Sequence, residues 1–144
     1  CNAVKYANDI VYSKENVWEK PAVVRGNEID ELLGNNLGHN FPVIDKIENR
    51  TITSFKSIDL TLKSYQDKNK LYGQLARNVR QLEGFSGKVW SEQEVLLKDY
   101  DAKVLQIAIS KAIITGEQKL AFDAVKLYAK EKGIKIIVTV VTNK

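Results

Sequence analysis

Residues 134–141, Ile134-Lys135-Ile136-Ile137-Val138-Thr139-Val140-Val141, are apolar and β-branched with a single charge among them. A run of that kind suits a strand covered on both faces, and such strands belong to sheets flanked by helices. Just before it, Leu120, Ala121, Ala124, Val125, Tyr128 and Ala129 recur at helical spacing. A Thr115/Gln118 capping pair opens that helix and Gly133 stops it. Earlier still, Val104, Leu105, Ile107 and Ile109 mark a buried strand over 102–110. Strand–helix–strand predicts parallel pairing with a right-handed crossover.

The rest of the chain is read around that unit. Residues 1–20 lack periodicity and are expected to form a lead-in segment, partly packed, with a short helix. Residues 21–144 are expected to form one domain, long enough for a real core. Pro21 suits a first helical turn, and Ile29, Leu32 and Leu33 stripe a helix near 22–33 with Gly34 at its C′ position. Residues 42–47 and 51–56 read as paired strands around a turn at 48–50. Ile58, Leu60 and Leu62 alternate as if extending a third strand. Leu71, Leu75, Val79 and Leu82 stripe a helix over 64–82, and a short helix is expected at 92–97. The order α-β-β-(β)-α-β-α-β predicts an α/β protein with a mixed sheet (α+β in character) and helices on its faces.

Several chemistries are excluded by residue type. Cys1 is the only cysteine and His39 the only histidine. No internal disulfide, thiolate cluster or multi-histidine metal site is available. A Ser-His-Asp hydrolase would require His39 as its base. Any metal would be held mainly by oxygen, which suits Mg²⁺ or Mn²⁺ and allows Zn²⁺. A net charge of +4 is compatible with a polyanionic partner. No apolar run approaches the roughly 20 residues of a membrane span, so no stable membrane insertion is expected.

One constellation carries chemistry. Asp45 closes the apolar run of the first strand, and Ser54 and Lys56, two residues apart, share a face of the second. A carboxylate beside a lysine at strand ends suits metal-assisted phosphodiester cleavage, with the lysine stabilising the transition state or orienting water. Ser54 can hydrogen-bond a water at such a site. A further acid is expected from the preceding helix, where Asp30 is favoured, Glu28 comes second, and Glu31 is also available. Each has a plainer reading, as a turn aspartate, an edge lysine and a solvated helix face. Tyr65, Gln66, Lys68 and Lys70 are weak candidates for a nucleic-acid groove, against a merely polar helix start. Asp59 is a candidate supporting acid, His39 reads as a loop residue, and Trp18 and Trp90 read as core anchors.

The string Arg25-Gly26-x-x-Ile29-x-x-x-Leu33-Gly34-x-Asn36-Leu37-x-x-x-Phe41-Pro42-x-x-Asp45, followed by Thr53-Ser54-x-Lys56-Ser57-Ile58-Asp59-Leu60, resembles the C-terminal toxin domains of contact-dependent growth inhibition (CdiA-type) proteins with a PD-(D/E)XK nuclease-like, restriction-endonuclease-like core. The likeness covers 25–66 most strongly and includes Tyr65-Gln66. It implies a metal-dependent DNase that uses a divalent ion (Mg²⁺, Mn²⁺ or Zn²⁺). The domain would be carried on a cell-surface exoprotein and delivered into the cytoplasm of a neighbouring bacterium. A cognate immunity protein is the implied partner. Asp45 is implied as a metal ligand, and Ser54 and Lys56 stand where the superfamily has (D/E)-x-K, with serine replacing the second acid. An RNase (tRNase) of the same fold and a non-catalytic nucleic-acid-binding module are the alternatives, since fold does not fix substrate.

Overall fold

A computed structural model describes residues 1–144. Its first half contains α1 (Ala3–Tyr6), β1 (Asp9–Ser13), α2 (Ala22–Leu32), β2 (Lys46–Glu48) and β3 (Thr51–Ile58). Its second half contains α3 (Lys68–Glu83), β4 (Gly87–Trp90), β5 (Gln93–Leu96), β6 (Ala102–Ile109), α4 (Gly116–Glu131) and β7 (Ile134–Asn143). Five strands form one sheet in the order β1-β7-β6-β3-β2. Neighbours from β1 to β3 pair in parallel, and β2 closes the edge antiparallel to β3.

Alternation along the strands divides the sheet into two faces. Ile134, Ile136, Val138 and Val140 of β7 join Leu105, Ile107 and Ile109 of β6, and Ile52 and Ile58 of β3, in the main core. Leu71, Leu75, Val79 and Leu82 of α3 and Ala121, Phe122, Val125 and Ala129 of α4 cover them. Ala108, Val141 and Phe55 face the other way, against Ile29 and Leu33 of α2 and Val17. Cover on both faces explains why β7 is almost continuously apolar. Each of these large aliphatic side chains contributes roughly 1.5–3 kcal/mol when fully buried. The Thr115/Gln118 capping box forms as expected. The Gln118 amide also donates to the Leu60 and Tyr65 carbonyls and ties the connection after β3 to α4.

Four local expectations change. Residues 9–13 form a fifth strand of the sheet, because β7 has a second edge to pair and Asp9–Ser13 lies along it in register with Thr139–Asn143. The short helix expected before it is α1. The strand expected over 42–47 is regular only from Lys46. No third strand follows Ile58: the Asp59 carboxylate accepts from the Thr61 N–H and hydroxyl, and the chain turns into a 3₁₀ segment, Lys63–Gln66. The helix expected over 92–97 is replaced by the hairpin β4–β5, turning at Ser91, whose φ is 56°. Short apolar runs read equally as strand or helix, and here the β-formers Val89, Trp90 and Val95 decide it.

Candidate active site

The β2–β3 hairpin is set by Asn49 and Arg50, with φ of 52° and 60°. Two successive positive φ values are those of a tight turn whose twist matches the flanking strands. Upstream, Gly34 (φ 87°) ends α2 and starts the loop that returns to the sheet. Asn36 then substitutes for a strand neighbour. Its amide donates to the Ile47 carbonyl at 2.8 Å and accepts from the Ile47 N–H at 2.9 Å. Its backbone N–H donates to the Asp45 carbonyl at 3.1 Å, and the Asp45 N–H donates to the Thr53 carbonyl at 2.9 Å. Asp45 is thus held from both sides before its side chain is considered. Asn36→Ala removes both side-chain bonds and is expected to destabilise the fold by about 2 kcal/mol, read as a lower urea midpoint with an unchanged slope.

The residues just before Asp45 are strained. Val43 has φ 70°, and the Ile44 N–H donates to the Pro42 carbonyl at 2.8 Å. That is a three-residue γ-turn centred on a β-branched residue, a conformation uncommon for such side chains. Buried Phe41 and Ile44 bracket it. The Ser54 hydroxyl donates to the Val43 carbonyl at 2.9 Å and pins the turn to β3. Strain held by surrounding packing is characteristic of functional loops. Here it delivers Asp45 to the open edge of β3.

Asp45 Oδ2 accepts from the Phe55 N–H at 2.7 Å. Phe55 immediately precedes Lys56, so the carboxylate lies at the strand edge between the two faces. Burial pushes the Asp45 pKa up to about 7. The Phe55 N–H opposes the shift, the Asp30 carboxylate adds to it, and His39 offsets it in part. Asp30 is itself shifted upward by burial, against the pull of His39. The His39 ring lies between two acids of α2, with Nδ1 3.8 Å from Asp30 Oδ2 and Nε2 3.9 Å from Glu31 Oε1.

The structure brings Asp30 and Asp45 within electrostatic reach and separates Glu28 from them. Residues two apart on a helix face nearly opposite ways. Glu28 accordingly bonds Lys20 Nζ at 2.7 Å, in a hollow shared with Glu15. Lys56 stands on the α3 side of β3, half-buried, and makes no ion pair with Asp45 or any other acid. Burial lowers its pKa, and the charge of Arg77 lowers it further. Of the weak groove candidates, Tyr65 packs against the core. Lys68 lines a hollow toward Leu120 on α4, and Lys70 lies on the other side of α3. Gln66 is structural, donating to the Leu60 and Leu62 carbonyls. Trp18 packs beneath α2, and Trp90 is exposed on the β4–β5 hairpin instead of anchoring a core.

No three His, Cys, Asp or Glu side chains converge as a preformed metal cage. Two desolvated carboxylates, with Asp30 raising the proton affinity of Asp45, fit a different donor set. A divalent ion can be held by one or two carboxylates, with water and substrate phosphate completing its sphere.

A parallel sheet with an antiparallel edge strand, an acid at the start of that strand and a lysine on its neighbour define a restriction-endonuclease-like architecture. The chain belongs to the CDI toxin restriction endonuclease-like domain family, whose profile matches residues 25–139. This bears out the resemblance carried by residues 25–66 and extends it into β7. One solved structure, the "CdiA-CT/CdiI toxin and immunity complex from Yersinia pseudotuberculosis", is similar in fold. The TM-score is 0.68 at 22% identity, covering 79% of this chain and 95% of that one. The curated proteins gave no match to the sequence.

Proposed function

We propose that this domain is a metal-dependent endonuclease toxin that hydrolyses phosphodiester bonds in target-cell DNA and is neutralised by a cognate immunity protein. The single observation that carries the nuclease reading is the desolvated Asp30–Asp45 pair at the edge of the strand that bears Lys56. Asp45 and Asp30 would hold a divalent ion, Mg²⁺, Mn²⁺ or Zn²⁺, which when bound supplies Lewis acidity and a more acidic water. The γ-turn at Val43 and the Ser54 hydroxyl keep Asp45 in place. Lys56 offsets charge developing on the phosphate, where a half-buried ammonium is worth more than one in bulk water. Glu28 is left to its ion pair with Lys20. The toxin–immunity neighbour supports an immunity partner, and family membership supports delivery between cells from a surface exoprotein. No helix is long and apolar enough to cross a membrane.

Supercoiled plasmid and total tRNA, each incubated with purified protein and divalent metal, test the substrate. Nicking or linearisation of the plasmid is the expected result. Cleavage of tRNA with the plasmid intact would move the assignment to an RNase of the same fold. Binding without cleavage of either would make this a non-catalytic module.

A further inference from the structure

β4 and β5 stand apart from the main sheet as a two-stranded hairpin. A lone hairpin is marginally stable in water, so its pose depends on its anchors. Val95 is buried in the main core. At the base, Phe85 packs against Tyr100 with ring centroids 6.0 Å apart, and its carbonyl accepts from Lys103 Nζ at 2.8 Å. The Leu96 N–H donates to Asp99 Oδ2 at 2.8 Å. At the tip, Gln93 Nε2 donates to the Asn36 carbonyl at 3.3 Å. Asn36 is the residue whose own N–H holds the Asp45 carbonyl at 3.1 Å. The hairpin tip is therefore tied to the loop that positions Asp45.

Directly paired residues of an antiparallel hairpin share a face, as do alternate residues of one strand. Trp90 pairs with Gln93, and Lys88 with Val95. Their side chains share the face that Val95 and Gln93 turn to the body of the molecule. Val89 and Glu94, paired with each other, share the outer face. Trp90 thus sits at the tip of the inner face beside Gln93, yet it is 44% exposed. Lys88 Nζ lies 5.8 Å from the indole centroid. An indole on an anchored element, with a cation against its ring, suits a nucleic acid. Any base can stack on an aromatic face, and the ammonium attracts the adjoining phosphate. A protein partner drawn to apolar surface would find Val89, 61% exposed, on the outer face. Trp90 lies on the side tied to the Asp45 loop.

We propose that Trp90 is a base-stacking residue: its indole receives an unpaired base of the DNA strand whose phosphate is engaged at Asp45. Gln93 holds the hairpin at the reach this requires, and Lys88 offsets charge on the backbone beside the stacked base. The proposal rests on the nuclease reading and adds to it a substrate contact from a separate element of the fold. Trp90 takes no part in the chemistry; it fixes where the strand lies.

Anisotropy of a labelled single-stranded DNA oligonucleotide in EDTA, across a salt series, tests the proposal with wild type, Trp90→Ala, Trp90→Phe and Leu97→Ala. Leu97, 65% exposed just after β5, controls for loss of a surface apolar side chain. Trp90→Ala is expected to bind roughly five- to a hundredfold more weakly, the scale of one lost base stack. Its log-affinity against log-salt slope should stay that of wild type, because no cation is removed. Trp90→Phe should recover most of the affinity. Unlabelled oligonucleotide should quench the intrinsic fluorescence of wild type, and Trp90→Phe, which keeps only Trp18, should lose that quench. With metal, Trp90→Ala should raise KM more than it lowers kcat. A Trp90→Ala variant that matches Leu97→Ala in affinity and KM would overturn the proposal. So would one that melts earlier and binds normally, which would make the indole structural. Normal DNA binding with lost capture of the cognate immunity protein would assign Trp90 to that protein and also overturn it. A wild type that neither binds the oligonucleotide nor cuts with metal would sink the nuclease reading itself, a failure visible before any variant is compared.

Discussion

Asp45→Asn is expected to fold, to lose nucleolytic activity by roughly a thousandfold or more, and to outlast wild type in metal-free denaturation at about pH 8. The amide oxygen still accepts from the Phe55 N–H, so the bond at 2.7 Å in the wild type has a successor. The charge that would hold a cation is gone. The stability effect follows from the direction of the pKa shift. Burial raises the folded-state pKa of Asp45 to about 7, above the ordinary value of 3.8. Between those values the folded protein binds more protons than the unfolded chain, so this group's contribution to stability falls as pH rises. Below the ordinary value both states are protonated and no penalty exists. Above pH 7 the whole cost of an ionised, desolvated carboxylate is present, on the order of 4 kcal/mol. Asparagine carries no such cost. The stability difference, variant minus wild type, should grow from about pH 4 to 7 and then level off. Saturating divalent metal should shrink it by restoring wild type alone. Denaturant titrations at several pH values, with EDTA and with metal, measure both parts. A difference flat with pH would place Asp45 in a solvated, ordinary setting.

Lys56→Met carries the second large effect, and activity and stability should move in opposite directions. Removing a positive charge that stabilises the phosphate in the transition state costs about 10²–10³ in rate, the scale seen for lost oxyanion donors. Methionine of similar length relieves a desolvated ammonium whose protonation the charge of Arg77 further disfavours. The lysine's folded pKa lies below its unfolded value, so the unfolded chain holds the proton more firmly. Its contribution therefore rises with pH across the alkaline range between the two values. At neutral pH the variant should melt at or above the wild-type temperature, and the gap should narrow toward strongly alkaline pH. Single-turnover cleavage and thermal melts read the two sides. A large drop in melting temperature would mean that Lys56 is a structural residue.

These outcomes locate where the sequence was readable and where it was not. β7, α4 and β6 were legible because each carries its own periodicity and the Thr115/Gln118 cap marks a boundary locally. The β2–β3 hairpin was legible from Asn49-Arg50 between β-branched runs. β1 was not, because five residues without a clear pattern become a strand only when β7 offers them an edge. The hairpin β4–β5 was lost to the ambiguity of short apolar runs. In the site, Asp45, Ser54 and Lys56 stood out as a motif. The ordering of Asp30 over Glu28 depended on helix facing, and in the structure Glu28 is ion-paired with Lys20. The placement of His39 between Asp30 and Glu31 is a product of tertiary arrangement.

The most direct test is the rate at which supercoiled plasmid is cut by wild type and by Asp45→Asn, with Mg²⁺, Mn²⁺, Zn²⁺ and EDTA, each protein shown to be folded under the same conditions. A metal-dependent site built on Asp45 predicts cutting by wild type with at least one metal, none in EDTA, and none by the variant. Wild-type cutting that persists in EDTA, or a variant that cuts at the wild-type rate, would contradict it.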